Sequence, residues 1–173
     1  MIEQLKSLIV DVPDFPKPGI VFKDFTPLLA DSRGLALAVE LMANPYRTQD
    51  VDVVVGAESR GFIFGTAVAQ ALSAGFVPIR KKGKLPRATK RVEYALEYGT
   101  DCLEMHADAL KPGQRVLIVD DLLATGGTLS AASELVRGLN ATVVGLTVLI
   151  EITALGGRRR LAGLGDVHAV LTY

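Results

Sequence analysis

The stretch VLIVDDLLATGGT, residues 116–128, decides the fold that we expect for this chain. Residues 116–119 are apolar and mostly β-branched, which is typical of a strand buried on both faces in a parallel sheet. Residues 124–128 are small and include two glycines, so a tight turn into a helix can follow. The sequence therefore predicts a strand, a turn and a helix in immediate succession.

Two acids, Asp120 and Asp121, lie between the predicted strand and the turn. Backbone N–H groups at a helix N-terminus can converge on a phosphate, and the helix dipole favours negative charge there. The carboxylates themselves repel a phosphate, but they can accept hydrogen bonds from sugar hydroxyls or hold a hydrated Mg²⁺. A ligand with both a phosphate and a free diol would satisfy both halves. The plain alternative is a structural strand–turn–helix connection with a threonine N-cap.

Two other phosphate-binding patterns do not fit this sequence. No G-x-G-x-x-G pattern follows a strand and opens a helix, which argues against a dinucleotide site. Gly56 and Gly61 have the spacing of a P-loop, but Phe62 stands where that motif requires a lysine.

The composition is that of an ordinary globular protein. The 173 residues predict a single domain, 1–173, with enough apolar side chains for a substantial core. The net charge is zero, so nothing favours nucleic acid or a membrane as a partner. Cys102 is the only cysteine, which excludes an internal disulfide and a cysteine-based zinc site. No apolar run follows a basic start at the N-terminus, and we expect a cytoplasmic protein.

Apolar runs predict five strands between amphipathic helices. The predicted strands cover residues 51–55, 76–79, 116–119, 142–150 and 167–171. The apolar stripes of the predicted helices are Leu35, Ala38, Val39 and Met42; Phe64, Val68, Ala71 and Leu72; and Leu129, Ala132, Leu135, Val136 and Leu139. This alternation predicts an α/β fold with an open, mostly parallel, twisted sheet flanked by helices. Ligands of such sheets bind beyond the carboxyl ends of the strands.

Two segments interrupt the alternation of strands and helices. Residues 11–27 hold four prolines among three phenylalanines, which predicts an ordered but irregular arm within a small N-terminal hood, about residues 11–30. Residues 80–91 hold seven Lys or Arg residues and no acid, which predicts a flexible basic lid loop over about residues 80–95. This much positive charge would attract an anion, although any single lysine there could be solvated surface.

The stretch 116–128 closely resembles the signature of the type I phosphoribosyltransferases, which bind 5-phosphoribosyl 1-pyrophosphate. The resemblance implies that Asp120 and Asp121 face the ribose hydroxyls and that the turn binds the 5-phosphate. The turn consists of Ala124, Thr125, Gly126, Gly127 and Thr128. The resemblance also implies Mg²⁺ as a cofactor, coordinated mainly by the substrate and through water by the two acids.

The basic segment RKKGKLPRATKR, residues 80–91, resembles a loop of this family that closes over the bound pyrophosphate. The resemblance implies that Arg80 and Lys84 contact the pyrophosphate. Closure of the loop would also exclude water from the reactive sugar. Residues 89–93, TKRVE, depart from the pattern of the relatives.

The turn Glu58-Ser59-Arg60-Gly61 resembles the pyrophosphate loop of the same family. The resemblance implies that Ser59, Arg60 and Gly61 contact the leaving group, and that the loop contains a non-proline cis peptide. The alternative is a helix that begins here with Ser59 as its N-cap. Both interpretations can hold together, because a helix N-terminus is itself an anion site.

FPKPGIVFKDFTP, residues 15–27, resembles the N-terminal hood of the family members that use adenine. The resemblance implies that Phe22 stacks on the purine and that backbone groups of Val21 and Lys23 bind its edge. Leu155 would cover the opposite face of the base. The alternative is that Phe22 and Leu155 are ordinary core residues.

YALEYGT, residues 94–100, resembles the segment that carries the acid/base carboxylate in the same family members. The resemblance assigns this role to Glu97, near N7 of adenine, with Tyr98 beside it. Ala124 stands where the 6-oxopurine enzymes of the family typically have an aspartate. This difference argues against hypoxanthine or guanine as the base.

Together these resemblances imply an enzyme that joins N9 of adenine to C1 of the ribose with inversion. The products would be AMP and pyrophosphate, and the transition state would resemble an oxocarbenium ion. The resemblance also implies a homodimer. Two alternatives are a phosphoribosyltransferase for another base, such as uracil or a 6-oxopurine, and a non-catalytic sensor of phosphoribosyl pyrophosphate.

Overall fold

The computed structural model describes residues 1–95 and 99–173, and within these residues nine strands and six α-helices form. The strands are β1 (Val10–Pro13), β2 (Val21–Asp24), β3 (Val53–Ala57), β4 (Gly75–Lys81), β5 (Thr89–Ala95), β6 (Thr100–His106), β7 (Arg115–Leu123), β8 (Thr142–Glu151) and β9 (Val167–Thr172). The helices are α1 (Ile2–Lys6), α2 (Thr26–Ala30), α3 (Ser32–Ala43), α4 (Arg60–Ala71), α5 (Gly127–Gly138) and α6 (Gly157–Arg160).

The main sheet has the strand order β5-β6-β4-β3-β7-β8-β9. Strands β4, β3, β7, β8 and β9 are parallel, whereas β6 is antiparallel to β4 and β5 is antiparallel to β6. This confirms the predicted α/β fold with a mostly parallel sheet. Each of the five predicted strands is present, although β3 begins two residues later than the predicted 51–55.

Apolar side chains pack against both faces of the sheet, because successive residues of a strand point to opposite sides. On one face, Val55 and Ile118 belong to a core that includes the buried side of α5. On the other face, Val54 and Leu117 belong to a core that includes α3 and α4. The central strands are therefore buried on both sides, as their continuous apolar runs predicted.

The three predicted helical stripes are confirmed as the buried faces of α3, α4 and α5. Their fully buried members are Ala38, Met42, Phe64, Val68, Leu129, Ala132, Leu135 and Val136. These faces hold α4 and α5 against the sheet, with their N-termini near the carboxyl ends of β3 and β7. No helix in the described parts of the chain is long and apolar enough to cross a membrane.

The prediction of one loop over residues 80–95 was wrong at both ends, because β4 continues to Lys81 and β5 begins at Thr89. Only residues 82–88 connect the two strands. Within β5, Val92 and Tyr94 pack against the core while the residues between and beside them are exposed. This period of two is a strand pattern, but the outward-facing charges obscured it.

The N-terminal hood is more regular than the predicted irregular arm. Strands β1 and β2 form an antiparallel hairpin in which Val12 lies opposite Phe22. Each strand has only four residues, which are mostly exposed in β1 and partly buried in β2, and neither strand contains a long apolar run. Pro13, opposite Val21, ends β1; both strands of a two-stranded hairpin are edge strands, where a proline is tolerated.

Candidate active site

A cavity of about 970 Å³ lies at the carboxyl ends of β3 and β7. This is the edge of a parallel sheet where ligands bind. Its lining includes half of the residues for which the sequence predicted a role: Arg60, Asp120, Asp121, Ala124, Thr125, Gly126, Gly127, Thr128 and Leu155. The fold therefore brings these groups, which are distant in sequence, into one site.

The two acids lie within β7, not after a strand that ends at Val119. β7 continues to Leu123 because its extension pairs with β8, where Asp120 lies opposite Val148. Asp120 and Asp121 are only 8% and 3% exposed. The amide of Asp121 donates a hydrogen bond to Oδ1 of Asp120 at 2.9 Å. The sheet therefore fixes the positions of both carboxylates.

Burial raises the pKa of the Asp120 carboxyl well above its ordinary value, and the adjacent charge of Asp121 raises it further. Two carboxylates this close resist ionising together when the site holds no counter-charge. A cation or a set of hydroxyl donors beside them would favour the doubly ionised form. The site is thus suited to a ligand that brings positive charge or hydrogen-bond donors to this point.

Arg60 links α4 to the acidic pair, with its Nε 2.9 Å from Oδ2 of Asp121. This ion pair is not aligned as a hydrogen bond, since Oδ2 is buried without a donor among the described residues. The oxygen can therefore accept a hydrogen bond from a ligand hydroxyl or a water. Gly61 permits the close approach of α4, because a Cβ there would lie 2.8 Å from Oδ1 of Asp120.

The acidic pair provides carboxylate oxygens, the ligands that Mg²⁺ prefers. Among residues 1–95 and 99–173, no three His, Cys, Asp or Glu side chains come together as a metal site. Asp120 and Asp121 would therefore hold Mg²⁺ together with oxygens from the ligand or from water. The donor set fits the predicted cofactor on these terms.

Residues 124–128 form the turn between β7 and α5. Gly126 is the N-cap of α5 and has a φ of 84°, in the left-handed region that glycine adopts without a steric penalty. No side chain in the described parts of the chain caps this helix. The alternative of a threonine N-cap is therefore wrong, and the first amides of α5 can bind an anion.

The peptide bond between Glu58 and Ser59 is cis, as the family resemblance implied. Helix α4 begins at Arg60 with Ser59 in the N-cap position, but the Ser59 hydroxyl makes no capping hydrogen bond within the described residues. The alternative of a helix start is therefore right about the position and wrong about the cap. Arg60 lines the cavity, whereas Ser59 and Gly61 lie beside it.

The Glu58 side chain binds basic groups at the end of β4 and in the connection after it. Nζ of Lys84 lies 2.6 Å from Oε2, and Nε of Arg80 lies 3.5 Å from Oε1. The amide of Lys81 donates to Oε1 at 2.6 Å. Burial alone would raise the pKa of Glu58, but these partners hold it below its ordinary value. Glu58 lines the cavity, so Arg80 and Lys84 adjoin the cavity through it.

Phe22 lies beside the cavity, not in its lining. Its ring centroid is 5.6 Å from Cζ of Arg60 and 5.3 Å from the ring centroid of Phe15. Val21 and Lys23, on either side of it in β2, also lie outside the lining. The hood therefore reaches the site in two ways: Phe22 contacts Arg60, and Lys17 lines the cavity itself.

Leu155 lines the cavity and is 51% exposed, so the alternative of a core residue is wrong for it. An exposed leucine at the mouth of a polar cavity offers an apolar surface to a ligand. Glu97 and Tyr98, predicted to act at N7 of the base, lie outside the described residues.

Lys17, Tyr94 and Arg160 line the cavity as well, although the sequence analysis assigned them no role. The Tyr94 hydroxyl donates to Oδ2 of Asp101 at 3.3 Å, and its ring lies against Gly127. Lys17 and Tyr94 belong to segments that resemble the family, which could have indicated them. For Arg160 the only signal was a run of three arginines.

The fold and the site define a phosphoribosyl transferase domain, and the family model of that description matches residues 27–163. The adenine phosphoribosyltransferase of Sorangium cellulosum is 60% identical, over 99% of this chain and 86% of its own length. The crystal structure of the Rhodothermus marinus enzyme of that name has a TM-score of 0.95 at 54% identity, covering 99% of this chain and 98% of its own. The structure of the Saccharomyces cerevisiae enzyme, complexed with an imino-altritol bisphosphate and adenine, has a TM-score of 0.92 at 37% identity, covering 98% and 97%. The chain therefore belongs to the adenine phosphoribosyltransferase family.

Proposed function

We propose that this chain is a purine salvage enzyme that transfers the 5-phosphoribosyl group from 5-phosphoribosyl 1-pyrophosphate to N9 of adenine. The products are AMP and pyrophosphate. One observation carries the proposal: a single cavity contains a buried acidic pair, an arginine paired with it and a helix N-terminus without a side-chain cap. A phosphoribosyl group, with its phosphate and its diol, is complementary to all three.

The 5-phosphate binds to the amides of the turn 124–128, where the partial positive charge at the N-terminus of α5 attracts it. The ribose hydroxyls then donate hydrogen bonds to Asp120 and Asp121 and so favour their ionised forms. The carboxylates orient the ribose and place negative charge near C1 as it gains oxocarbenium character.

The pyrophosphate leaves toward the positively charged side of the cavity. Arg60 lies at this side, and Glu58 keeps Arg80 and Lys84 next to it. Asp120 and Asp121 would hold Mg²⁺ through water, and the ion would neutralise charge on the pyrophosphate. Lys84 binds the pyrophosphate by leaving Glu58, and the basic loop then closes the site to water.

The adenine ring lies between the hood and Leu155. Phe22 stacks on one face, and backbone groups of Val21 and Lys23 bind the polar edge of the base. The apolar exposed side chain of Leu155 in the cavity wall supports this placement of the base. For the hood, the support is the position of Phe22 next to Arg60.

Glu97, with Tyr98 beside it, exchanges a proton with N7 while N9 attacks C1, which prevents charge from accumulating on the purine. The support for this role is the resemblance of the segment 94–100. Ala124 lines the cavity without offering a carboxylate, which disfavours a 6-oxopurine at the same place.

We further propose that the chain acts as one domain over 1–173, that it forms a homodimer, and that it acts in the cytoplasm. The family resemblance supports these three statements. Sedimentation equilibrium measures the assembly, and the expected mass is twice the 18.4 kDa of one chain. A mass of one chain at micromolar concentration would rule out the homodimer.

Pyrophosphate release by the purified protein tests the activity. With Mg²⁺ and phosphoribosyl pyrophosphate, we expect rapid release with adenine and little with hypoxanthine, guanine or uracil. Removal of Mg²⁺ with a chelator should abolish the release. Faster pyrophosphate release with another base would show that this base, not adenine, is the substrate. Binding of phosphoribosyl pyrophosphate without pyrophosphate release in the presence of any base would indicate a sensor.

A further inference from the structure

Helix α6 carries three consecutive arginines beside the turn 124–128: Arg158, Arg159 and Arg160. The helix lies there because Gly157 packs directly on the turn. A Cβ on Gly157 would collide with the carbonyl oxygen of Ala124 and with the side chain of Leu123. A Cβ on Gly126 would lie 2.8 Å from the carbonyl oxygen of Gly157. Backbone contact therefore sets the short distance between α6 and the turn.

Arg158 fixes the orientation of α6 relative to the sheet. Its Nε lies 2.9 Å from both carboxylate oxygens of Glu151, and its Nη1 donates to the carbonyl oxygen of Val167 at 2.7 Å. The Glu151 side chain is only 5% exposed, so water screens this pair less than it would an ion pair with both partners on the surface. The residue two positions later is rotated by about 200° around a helix axis. Arg160 therefore points away from Glu151.

Arg160 points toward the turn 124–128. Its side chain lines the cavity, and its Nη1 lies 3.2 Å from the position that a Cβ on Gly127 would occupy. Gly127 is the first residue of α5. Within residues 1–95 and 99–173, no group forms a hydrogen bond or an ion pair with the Arg160 guanidinium. Its five donors are therefore available to a ligand.

We propose that Arg160 binds the 5-phosphate of the substrate and of the nucleotide product. This proposal rests on the proposed function, which places that phosphate on the turn 124–128. The turn itself consists of uncharged residues, and the neighbouring charges on β7 are the two acids. A guanidinium binds a phosphate dianion with charge-assisted hydrogen bonds, so Arg160 supplies the formal positive charge that the turn lacks.

Equilibrium binding of AMP and of adenosine, which lacks only the phosphate, tests the role of Arg160. The test variant is Arg160→Gln, and the matched control is Arg159→Gln, which removes the same charge from the adjacent position of α6. We expect Arg160→Gln to weaken AMP binding about tenfold, as for loss of a charge-assisted hydrogen bond. Its affinity for adenosine should not change, and Arg159→Gln should resemble the wild type with both ligands.

Equal AMP affinities of the Arg160→Gln and Arg159→Gln variants would overturn the proposal. Equal losses for AMP and adenosine in Arg160→Gln would also overturn it, because they would indicate a role in folding or in binding the base. Arg160→Lys, which keeps the charge, should restore part of the AMP affinity. If the wild type shows no adenine-dependent pyrophosphate release, the proposed function is wrong. If the wild type does release pyrophosphate and the two glutamine variants bind AMP equally well, only the role of Arg160 is wrong.

Discussion

The Asp120 carboxyl lies inside the sheet, where burial and the adjacent Asp121 raise its pKa. In the unfolded chain this carboxyl loses its proton near pH 3.9, the ordinary value of about 3.9 for aspartate. Its contribution to stability is therefore complete below about pH 3.9 and is lost as the pH rises through the raised pKa. Above the raised pKa the fold carries an unfavourable charge, which hydrogen-bond donors or a cation of the ligand would stabilise.

The variant Asp120→Asn removes this pH-dependent charge. We expect it to melt at a higher temperature than the wild type at about pH 8, with a gain that shrinks toward pH 4. Pyrophosphate release should fall in the same variant because the ribose loses an acceptor. Thermal unfolding by circular dichroism at a series of pH values measures the gain. A gain that is the same at every pH would contradict the assignment.

We expect the carboxylate of Asp121 to affect activity more than stability. Asp121→Asn should lower kcat by about 100-fold, the effect typical of losing one electrostatic contact to a transition state. The free energy of unfolding should change by less than about 1 kcal/mol, because the partner Arg60 is 47% exposed and can be solvated. Steady-state kinetics and urea unfolding measure the two quantities. Full activity in this variant would refute the role of Asp121.

Glu58 keeps Lys84 at the edge of the cavity through a 2.6 Å ion pair. Glu58→Gln should raise the KM for phosphoribosyl pyrophosphate severalfold while changing kcat less, because the basic side chains lose the partner that positions them. The control is Glu93→Gln, which removes an exposed carboxylate from β5. Initial rates at varied substrate concentration measure the effect. The same KM in both variants would show that Glu58 has no positioning role.

At the scale of elements, the start of α5 depends on a glycine. Gly126→Ala should lower the free energy of unfolding by about 1–2 kcal/mol from its left-handed conformation alone. The new Cβ would also press on the carbonyl oxygen of Gly157. Gly138→Ala, at the other end of the same helix with open space around it, should instead stabilise by about 0.5–1 kcal/mol. Chemical unfolding compares the two; equal effects would refute this interpretation.

The elements that the sequence predicted well are those with a strong local pattern. The apolar runs of β3, β4, β7, β8 and β9 are continuous because both faces of these strands pack against other apolar side chains, although β4 and β9 are only partly buried. In β5 partly buried and exposed positions alternate only from Val92 to Ala95, and the dense positive charge of residues 80–91 indicated a loop instead. The strands β1 and β2 have four residues each, which is too short for a clear hydrophobic pattern.

The candidate site also has a part that the sequence predicted and a part that it did not. The acidic pair and the turn 124–128 lie in one stretch of sequence, so their arrangement could be predicted from that stretch. The pairing of Arg60 with Asp121 and the placement of Arg160 join elements that are far apart along the chain. Only the packing of α4 and α6 on β7 brings these side chains together, and no local pattern encodes that packing.

At the scale of the whole molecule, a neutral chain holds its basic segment close to its own acids. Besides the contact with Glu58, Lys81 pairs with Asp101 at 3.1 Å, and the amide of Gly83 donates to Glu104 at 3.0 Å. These contacts attach the connection 82–88 to the body of the protein, although most of its residues are exposed. A bound pyrophosphate would draw the same basic groups toward the cavity.

Limited digestion with trypsin tests this behaviour of the connection. Without ligand, we expect cleavage after the exposed Lys82, Lys84 and Arg87. Phosphoribosyl pyrophosphate with Mg²⁺ should slow these cleavages severalfold, because the basic side chains are then engaged and the connection is closed over the site. Adenine alone should give no protection. Mass spectrometry of the fragments locates the cuts; protection that spreads evenly over all sites would indicate general stabilisation instead.

The continuation of β7 through the acidic pair has a thermodynamic consequence for binding. Because Asp120 is a rung of the ladder between β7 and β8, its backbone is already ordered before any ligand arrives. The conformational entropy of arranging the two acceptors is lost during folding, and association with the sugar does not lose it a second time. A ribose bound at these acids would thus meet a preorganised surface, and we expect the rearrangement on binding to occur in the basic connection 82–88 instead.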